Sequence, residues 1–149
     1  MFWKHAEVTN PQTYSDLGVV TFSNNNGKNP SYTDAYLITL RHPTWHTMAS
    51  INIFSVPFCC GMLFIGDLVS YSRDKGHAKQ LLRVVERFAK VGGYKAVQCV
   101  VANTDKQTKT NNVRRLNLFK TMGYKYLIGS KFVNPRTDNV CRTLQLTLE

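Results

Sequence analysis

In the second half of the chain, segments with the apolar spacing of a strand alternate with segments that have the apolar spacing of a helix. Phe58 to Val69 is a nearly continuous apolar run, which predicts a strand in the middle of a sheet. In Lys79 to Val91 the apolar positions fall on one helical face, and Gly92-Gly93 predicts where the helix ends. Ala96 to Ala102 predicts another buried strand, and Asn112 to Met122 predicts a second helix.

The two ends of the chain carry different patterns. Tyr124 to Val133 and Val140 to Leu148 predict strands, because a cluster of turn-forming residues lies between them. Near the N-terminus, Pro11 to Phe22 predicts a helix, while Ala35 to Leu40 and Ala49 to Val56 predict strands. The order of elements in the second half predicts a mixed α/β sheet.

Positive charge is concentrated in one part of this chain of 149 residues, a length that suits a single domain. The formal net charge is +10, and Arg73 to Lys125 holds thirteen Lys and Arg residues against three Asp and Glu. Elsewhere six basic and six acidic residues cancel. Such a surface suits the phosphates of a nucleotide cofactor, a nucleic acid or an acidic protein.

The cysteines and the hydropathy of the chain indicate the cellular compartment in which the protein is expected. The four cysteines, Cys59, Cys60, Cys99 and Cys141, form no C-x-x-C pair. Reduced thiols in a cytoplasmic protein are therefore favoured over disulfides, and no metal site is expected. The longest apolar run is too short to span a membrane, and the first residues lack the order of a signal peptide, so no membrane association is expected.

The stretch from Arg73 to Lys79 has the features of a phosphate cradle. It lies between an apolar strand and a helix, and a helix N-terminus carries unpaired N–H groups and a partial positive charge. Gly76 would let a ligand approach the backbone, and Ala78 keeps the first turn small. The spacing R-x-x-G-x-A resembles the pyrophosphate-binding signature of the GNAT superfamily of acyl-CoA N-acyltransferases, Q/R-x-x-G-x-G/A.

A second match lies further along the chain. Asn112 to Tyr124 is similar to the GNAT pattern N-x-x-A-x-x-L-Y-x-x-x-G-F, with Asn, Leu and Gly in register. Phe119 stands where the family has the Tyr that donates a proton. Arg115 replaces a small residue, which would add a contact to a phosphate or to the substrate. The resemblance implies one domain over 1–149, in which 58–149 is the cofactor-binding core and 1–57 is a poorly matched part on the acceptor side.

The resemblance implies a three-layer α/β fold: a mixed sheet with helices on both faces and a C-terminal antiparallel strand pair. The activity it implies is transfer of an acetyl group from acetyl-CoA, or another acyl group from its acyl-CoA, to a primary amine by direct attack in a ternary complex. In the family the strand before the cradle parts from its neighbour, and the thioester lies in the gap. The implied cofactor-binding residues are Leu68, Val69, Ser70, Arg73, Asp74, Lys75, Gly76, His77, Ala78, Lys79, Asn103, Asn112 and Phe119.

The sequence indicates the catalytic groups less clearly than the cofactor-binding residues. Asp67, in an apolar strand, is a candidate general base with a raised pKa, or a strand-end aspartate bonded to a turn. Tyr124 is a candidate proton donor. Cys99 is predicted to be a core cysteine and not an acyl-carrying nucleophile. Lys79 is expected to serve the cofactor, and Arg83 and Arg87 to be solvent-exposed.

Phe119, which cannot donate a proton, leaves other functions open. One is a module that binds acyl-CoA without turnover. Another, suggested by the basic segment, is a protein that binds or modifies nucleic acid. For an enzyme, the amine acceptor is a small molecule, a protein or a nucleic acid, and a homodimer remains an alternative to a monomer.

Overall fold

A mixed sheet runs through the computed structural model of the chain, which describes residues 12–13, 19–24, 34–42, 47–57, 61–71, 76–102 and 110–148. Its elements in chain order are β1 (Gln12–Thr13), β2 (Val19–Asn24), β3 (Asp34–Arg41), β4 (Thr47–Ser55), β5 (Met62–Ser70), α1 (His77–Val91), β6 (Ala96–Ala102), α2 (Thr110–Thr121), β7 (Lys125–Tyr126), β8 (Phe132–Val133) and β9 (Val140–Thr147).

The strand order is β1-β2-β3-β4-β5-β6-β9-β7, and β8 pairs with β9 off this path. The β5–β6 pair is parallel, with α1 as its crossover, and the other pairs between described strands are antiparallel. β9 therefore lies between β6 and β7, although it is last in sequence. The predicted fold class, a mixed α/β sheet with helices and closing antiparallel strands, is confirmed.

The core lies between α1 and one face of the sheet. Along β4 the side chains of Ala49, Ile51 and Ile53 alternate with more exposed neighbours, and all three are buried. The register brings them opposite buried residues of β3, such as Tyr36 opposite Ile53. The ring of Phe88 in α1 contacts Tyr36 edge-on, with centroids 5.6 Å apart. This contact fixes α1 against the sheet.

Glycines mark both ends of α1. Gly76 precedes the helix with φ 76°, a left-handed conformation that favours glycine. At the other end Gly92 N–H donates to the Phe88 carbonyl at 2.9 Å, and Gly93 has φ 75°. The predicted C-terminal stop at Gly92-Gly93 is confirmed.

The predicted helix over Pro11 to Phe22 is wrong where the structure describes it. Gln12–Thr13 and Val19–Asn24 are strands, and Val20 pairs with Leu40 of β3 and is fully buried. Val, Thr and Phe favour the half-buried surface of a sheet, and pairing with β3 outweighs the local helix-start signals.

The predicted strand over Tyr124 to Val133 is interrupted. Only Lys125–Tyr126 and Phe132–Val133 are strands, and Gly129 between them has φ 79°. Ser130 N–H donates to the Leu127 carbonyl at 3.2 Å, which closes a turn. The chain therefore leaves the β9 ladder and rejoins it.

Candidate functional site

β5 and β6 part within the sheet. They pair only from Met62 opposite Ala96 to Phe64 opposite Gln98. Beyond this point β5 continues to Ser70 beside β4, whereas β6 continues to Ala102 beside β9. We call the space between residues 65–70 and 99–102 the gap. Because their ladder ends at Phe64, the facing edges of the two strands are open to another partner.

The backbone of β5 alternates between β4 and the gap. Tyr71 N–H donates to the Met48 carbonyl of β4 at 3.0 Å. In an antiparallel pair, successive residues turn their N–H and C=O groups to opposite edges. The backbone N–H and C=O groups of Val69, like those of Tyr71, therefore face β4, whereas those of Leu68 and Ser70 face the gap. Of the three β5 residues predicted to bind the cofactor (Leu68, Val69 and Ser70), Leu68 and Ser70 therefore have backbone groups that face an extended ligand in the gap.

A bulge in β5 lies beside the gap. Ile51 pairs with Leu68 and Ile53 with Ile65, so Gly66 and Asp67 together oppose one residue of β4. Such an extra residue bends a strand and disrupts its ladder locally. The Asp67 side chain is exposed, so the apolar surroundings on which the general-base hypothesis relied are absent.

The helix start at Gly76 forms the second part of the site. No side chain caps α1, and its first turn holds no acidic residue. A Cβ placed on Gly76 would meet no described atom within 4 Å. The N–H groups of this turn precede the first helical bond, in which Gln80 N–H donates to the Gly76 carbonyl at 3.0 Å. This arrangement suits an anion such as a pyrophosphate.

The other predicted cradle residues are only partly described. Arg73, Asp74 and Lys75 lie outside the described residues. His77 is buried at the first position of α1, and Ala78 and Lys79 are half-buried. Arg83 and Arg87 are exposed, as predicted.

Of the two asparagines predicted to bind the cofactor, the structure describes only the backbone of Asn112. Asn103 is outside the described residues. Asn112 belongs to the first turn of α2, which begins at Thr110.

Arg115 reaches across the gap, which the sequence did not reveal. Its Nη2 donates to the Leu68 carbonyl oxygen at 2.8 Å. Arg115 belongs to α2, and its positive charge also acts on Cys99 of β6, where it offsets part of the rise in thiol pKa that burial causes. The replacement of a small residue by arginine was visible in the second motif, but the partner is 47 positions away in sequence.

Phe119 and Tyr124 pack together behind β6. Both side chains are 2% exposed, and their ring centroids are 5.1 Å apart in an edge-on contact. The Tyr124 hydroxyl is buried without a hydrogen-bond partner among the described residues. Burial, followed by the nearby Cys99 and Glu86, raises the pKa of Tyr124 well above its usual range. The Tyr124 hydroxyl therefore stays protonated at neutral pH, but the same raised pKa makes it a weaker acid than an exposed tyrosine.

Cys99 is a core residue, as predicted, with 5% of its surface exposed. Burial raises the pKa of its thiol from 9.0 to about 12, against the smaller lowering effect of Arg115. The Cys99 side chain is therefore almost entirely the neutral thiol at neutral pH. This thiol is therefore unsuited to carry an acyl group.

We expect Cys99 to make the fold sensitive to alkali. A thiol with a raised pKa in the folded state stabilises the fold fully below pH 9, and this contribution is lost as the pH rises toward about 12. The contribution of Cys99 to the free energy of unfolding should fall by about 1.4 kcal/mol per pH unit in this range, and the raised pKa of Tyr124 adds to the total fall. Urea denaturation at several pH values would measure the slope. An unchanged slope in Cys99→Ala would contradict the assignment.

A cavity of about 400 Å³ lies elsewhere and is lined by residues of β7, of the turn that follows it and of β9. Its wall includes residues 145–147 of β9, which pair with 96–98, the part of β6 that precedes the parting from β5. The cavity is therefore at the far end of β6 from Ala102, and we do not assign it to the site.

Two features, a membrane-spanning helix and a metal-binding cluster, are absent from the described residues. None of the helices there is both long and apolar enough to cross a membrane. No group of three or more His, Cys, Asp or Glu residues in the described ranges is arranged to hold a metal ion.

Comparison with known proteins finds similarity in structure and none in sequence. No protein-family profile and no curated protein sequence matches the chain. An acetyltransferase assigned to the GNAT family, from Desulfovibrio desulfuricans, superposes with a TM-score of 0.64 at 9% identity, over 76% of this chain and 68% of that one.

Two other solved structures give similar values. An acetyltransferase of Bacillus subtilis in complex with CoA has a TM-score of 0.59 at 13% identity, over 77% of this chain and 78% of its own. The ribosomal-protein-S18-alanine N-acetyltransferase of Escherichia coli has a TM-score of 0.57 at 10% identity, over 81% and 72%. At these identities the likeness is one of fold.

Proposed function

We propose that this chain, which has the GNAT fold, transfers an acetyl group from acetyl-CoA to a primary amine. The observation that carries the proposal is the parting of β5 and β6 after Phe64 and Gln98, close in sequence to the open helix start at Gly76. An open strand edge suits the extended, amide-containing arm of CoA, and a helix N-terminus suits its pyrophosphate.

The residues for binding acyl-CoA divide between these two features. The first-turn N–H groups from His77 to Lys79 would hold the pyrophosphate, with Arg73, Asp74, Lys75 and Gly76 forming the rest of the loop. The backbone of Leu68 and Ser70 would pair with the pantetheine arm. Asn103, Asn112 and Phe119 would line its far end. The net positive charge of this segment favours the anionic ligand.

The chemistry would be direct attack of the amine on the thioester carbon in a ternary complex. Cys99 has too high a pKa to act as a nucleophile in its place. The amine must first lose a proton, and Asp67, which is exposed at the bulge of β5, would accept it directly or through water. A β5 N–H beside the bulge would stabilise the developing oxyanion. Tyr124 is the proton donor predicted from the sequence, but its hydroxyl is buried and its pKa is raised, so we propose that the sulfur leaves without taking the Tyr124 proton.

The acceptor would be a small molecule, a protein or a nucleic acid. The N-terminal third and the final strands are the parts of the chain proposed to bind it. The E. coli neighbour is an alanine N-acetyltransferase of a ribosomal protein, and its acceptor illustrates one of these classes.

Release of free thiol tests the proposal. Mixing the protein with acetyl-CoA and a panel of amines (polyamines, aminoglycosides, peptides with free N-termini, aminoacylated RNA) should give amine-dependent thiol at a rate above that of buffer. Calorimetry with CoA alone should show 1:1 binding. Binding without turnover on any amine would favour a non-catalytic acyl-CoA module, and absence of both would refute the site.

A further inference from the structure

Arg115 is a cation fixed at the gap between β5 and β6. The Leu68 carbonyl that accepts its hydrogen bond lies on the edge of β5 that faces away from β4. Since Arg115 also lowers the pKa of Cys99 on β6, its charge acts on both strands. One hydrogen bond to a backbone carbonyl holds the guanidinium in place.

Most of the hydrogen-bonding capacity of Arg115 remains. A guanidinium has five N–H donors, and within the described part of the chain the structure gives this one a single acceptor, the Leu68 carbonyl. The Arg115 side chain is exposed and forms no ion pair with a described carboxylate. Its charge is therefore available to an anion in the gap.

The proposed reaction produces an anion in this gap. As the amine lone pair forms the C–N bond, the C–S bond breaks, and its electron pair stays on sulfur. The ammonium proton leaves to Asp67 or water. Phe119, one turn after Arg115 on the same face of α2, has no proton to give to the sulfur.

We propose that Arg115 is a catalytic residue whose guanidinium stabilises the CoA thiolate as it leaves. The inference rests on the proposed acetyl transfer and names the group that receives its leaving charge. Arginine stays protonated and gives no proton, so its contribution is a charge-assisted hydrogen bond to sulfur. The thiolate would leave as the anion and take up a proton from water afterwards.

The test compares the binding of CoA with that of desulfo-CoA, in which hydrogen replaces the thiol. If Arg115 stabilises the thiolate, CoA gains affinity over desulfo-CoA as the pH rises from 6 to 9. The ratio of the two affinities then gives a bound-thiol pKa about 1 to 2 below that of the free thiol. Calorimetry at each pH measures the ratio without any turnover.

Other titrating groups around the gap are accounted for by the ratio. Asp67, Cys99, Tyr124 and Glu86 act alike on the parts that CoA and desulfo-CoA share, and a negative charge on any of them would raise the pKa of the bound thiol, which is opposite to the effect expected of Arg115. A pH dependence of the affinity ratio therefore reports the ligand thiol.

Variants assign the effect to one side chain. In Arg115→Gln the ratio should no longer depend on pH, because the bound thiol then has the pKa of the free thiol, and Arg115→Lys should retain part of the dependence. Arg114→Gln removes an adjacent charge from the same helix and should leave the ratio unchanged. Thermal unfolding of each variant shows that it is folded.

Two results would overturn the inference while acetyl transfer stands. One is tight CoA binding by the wild type with a pH-independent ratio. The other is equal weakening of CoA and desulfo-CoA in Arg115→Gln, which would assign Arg115 to a phosphate or to the pantetheine arm. Failure of the wild type to bind either ligand would overturn the proposed function as well.

Discussion

Gly76→Trp is expected to lower the affinity for CoA by at least roughly 100-fold while the chain stays folded. A side chain at this position would extend over the first turn of α1, where the pyrophosphate is proposed to bind. Displacing the phosphate from two N–H groups removes two charge-assisted hydrogen bonds of about 1.5 kcal/mol or more each, which corresponds to this loss of affinity. Isothermal titration calorimetry with CoA measures it.

The fold should tolerate the change because Gly76 is exposed and a Cβ there meets no described atom within 4 Å. The remaining cost is the left-handed backbone at φ 76°, about 1 kcal/mol for a residue other than glycine.

Gly93→Trp is a matched control at the other end of the same helix. Gly93 has φ 75° and is exposed, and a Cβ placed on it would likewise meet no described atom within 4 Å. It should show the same backbone cost with unchanged CoA affinity. Equal losses of affinity in both variants would mean that helix strain, and not the loop at Gly76, controls binding.

Local sequence patterns predicted the elements of the second half well. Ala96–Ala102 is a strand over the residues predicted, because a run of apolar residues follows a glycine pair that ends the preceding helix. At Val19–Asn24 the prediction failed, because the deciding interaction is pairing with β3, more than ten residues later in the chain. A local pattern cannot encode a partner at that distance.

The site was predictable only in part for the same reason. The apolar run that ends at Val69 indicated a strand covered on both faces, yet Asp67 and Val69 are exposed. The strand is exposed where it leaves β6, and only the family resemblance predicted this parting. The contact between Arg115 and the Leu68 carbonyl joins two elements through the tertiary fold, and no spacing in the sequence indicates it.

Phe88→Ala is expected to lower the free energy of unfolding by about 3–5 kcal/mol. Phe88 is fully buried, contacts Tyr36 of β3 edge-on, and stacks on Tyr94 with centroids 6.4 Å apart. Its loss leaves a cavity where α1 is anchored to the sheet. Urea denaturation measures the change, and Phe132→Ala, at an exposed position in β8, is the matched control with an effect below about 1 kcal/mol.

This variant also separates the stability of α1 from the function of its N-terminus. A ligand that binds only the folded state stabilises it by about 2.7 kcal/mol at 100 times its Kd. Phe88 lies three turns from Gly76, so CoA should stabilise Phe88→Ala by the same increment as the wild type. At the same concentration it should stabilise Gly76→Trp by about 0.4 kcal/mol or less. A smaller increment in Phe88→Ala would show that the packing of α1 on Tyr36 positions the first turn for the phosphate.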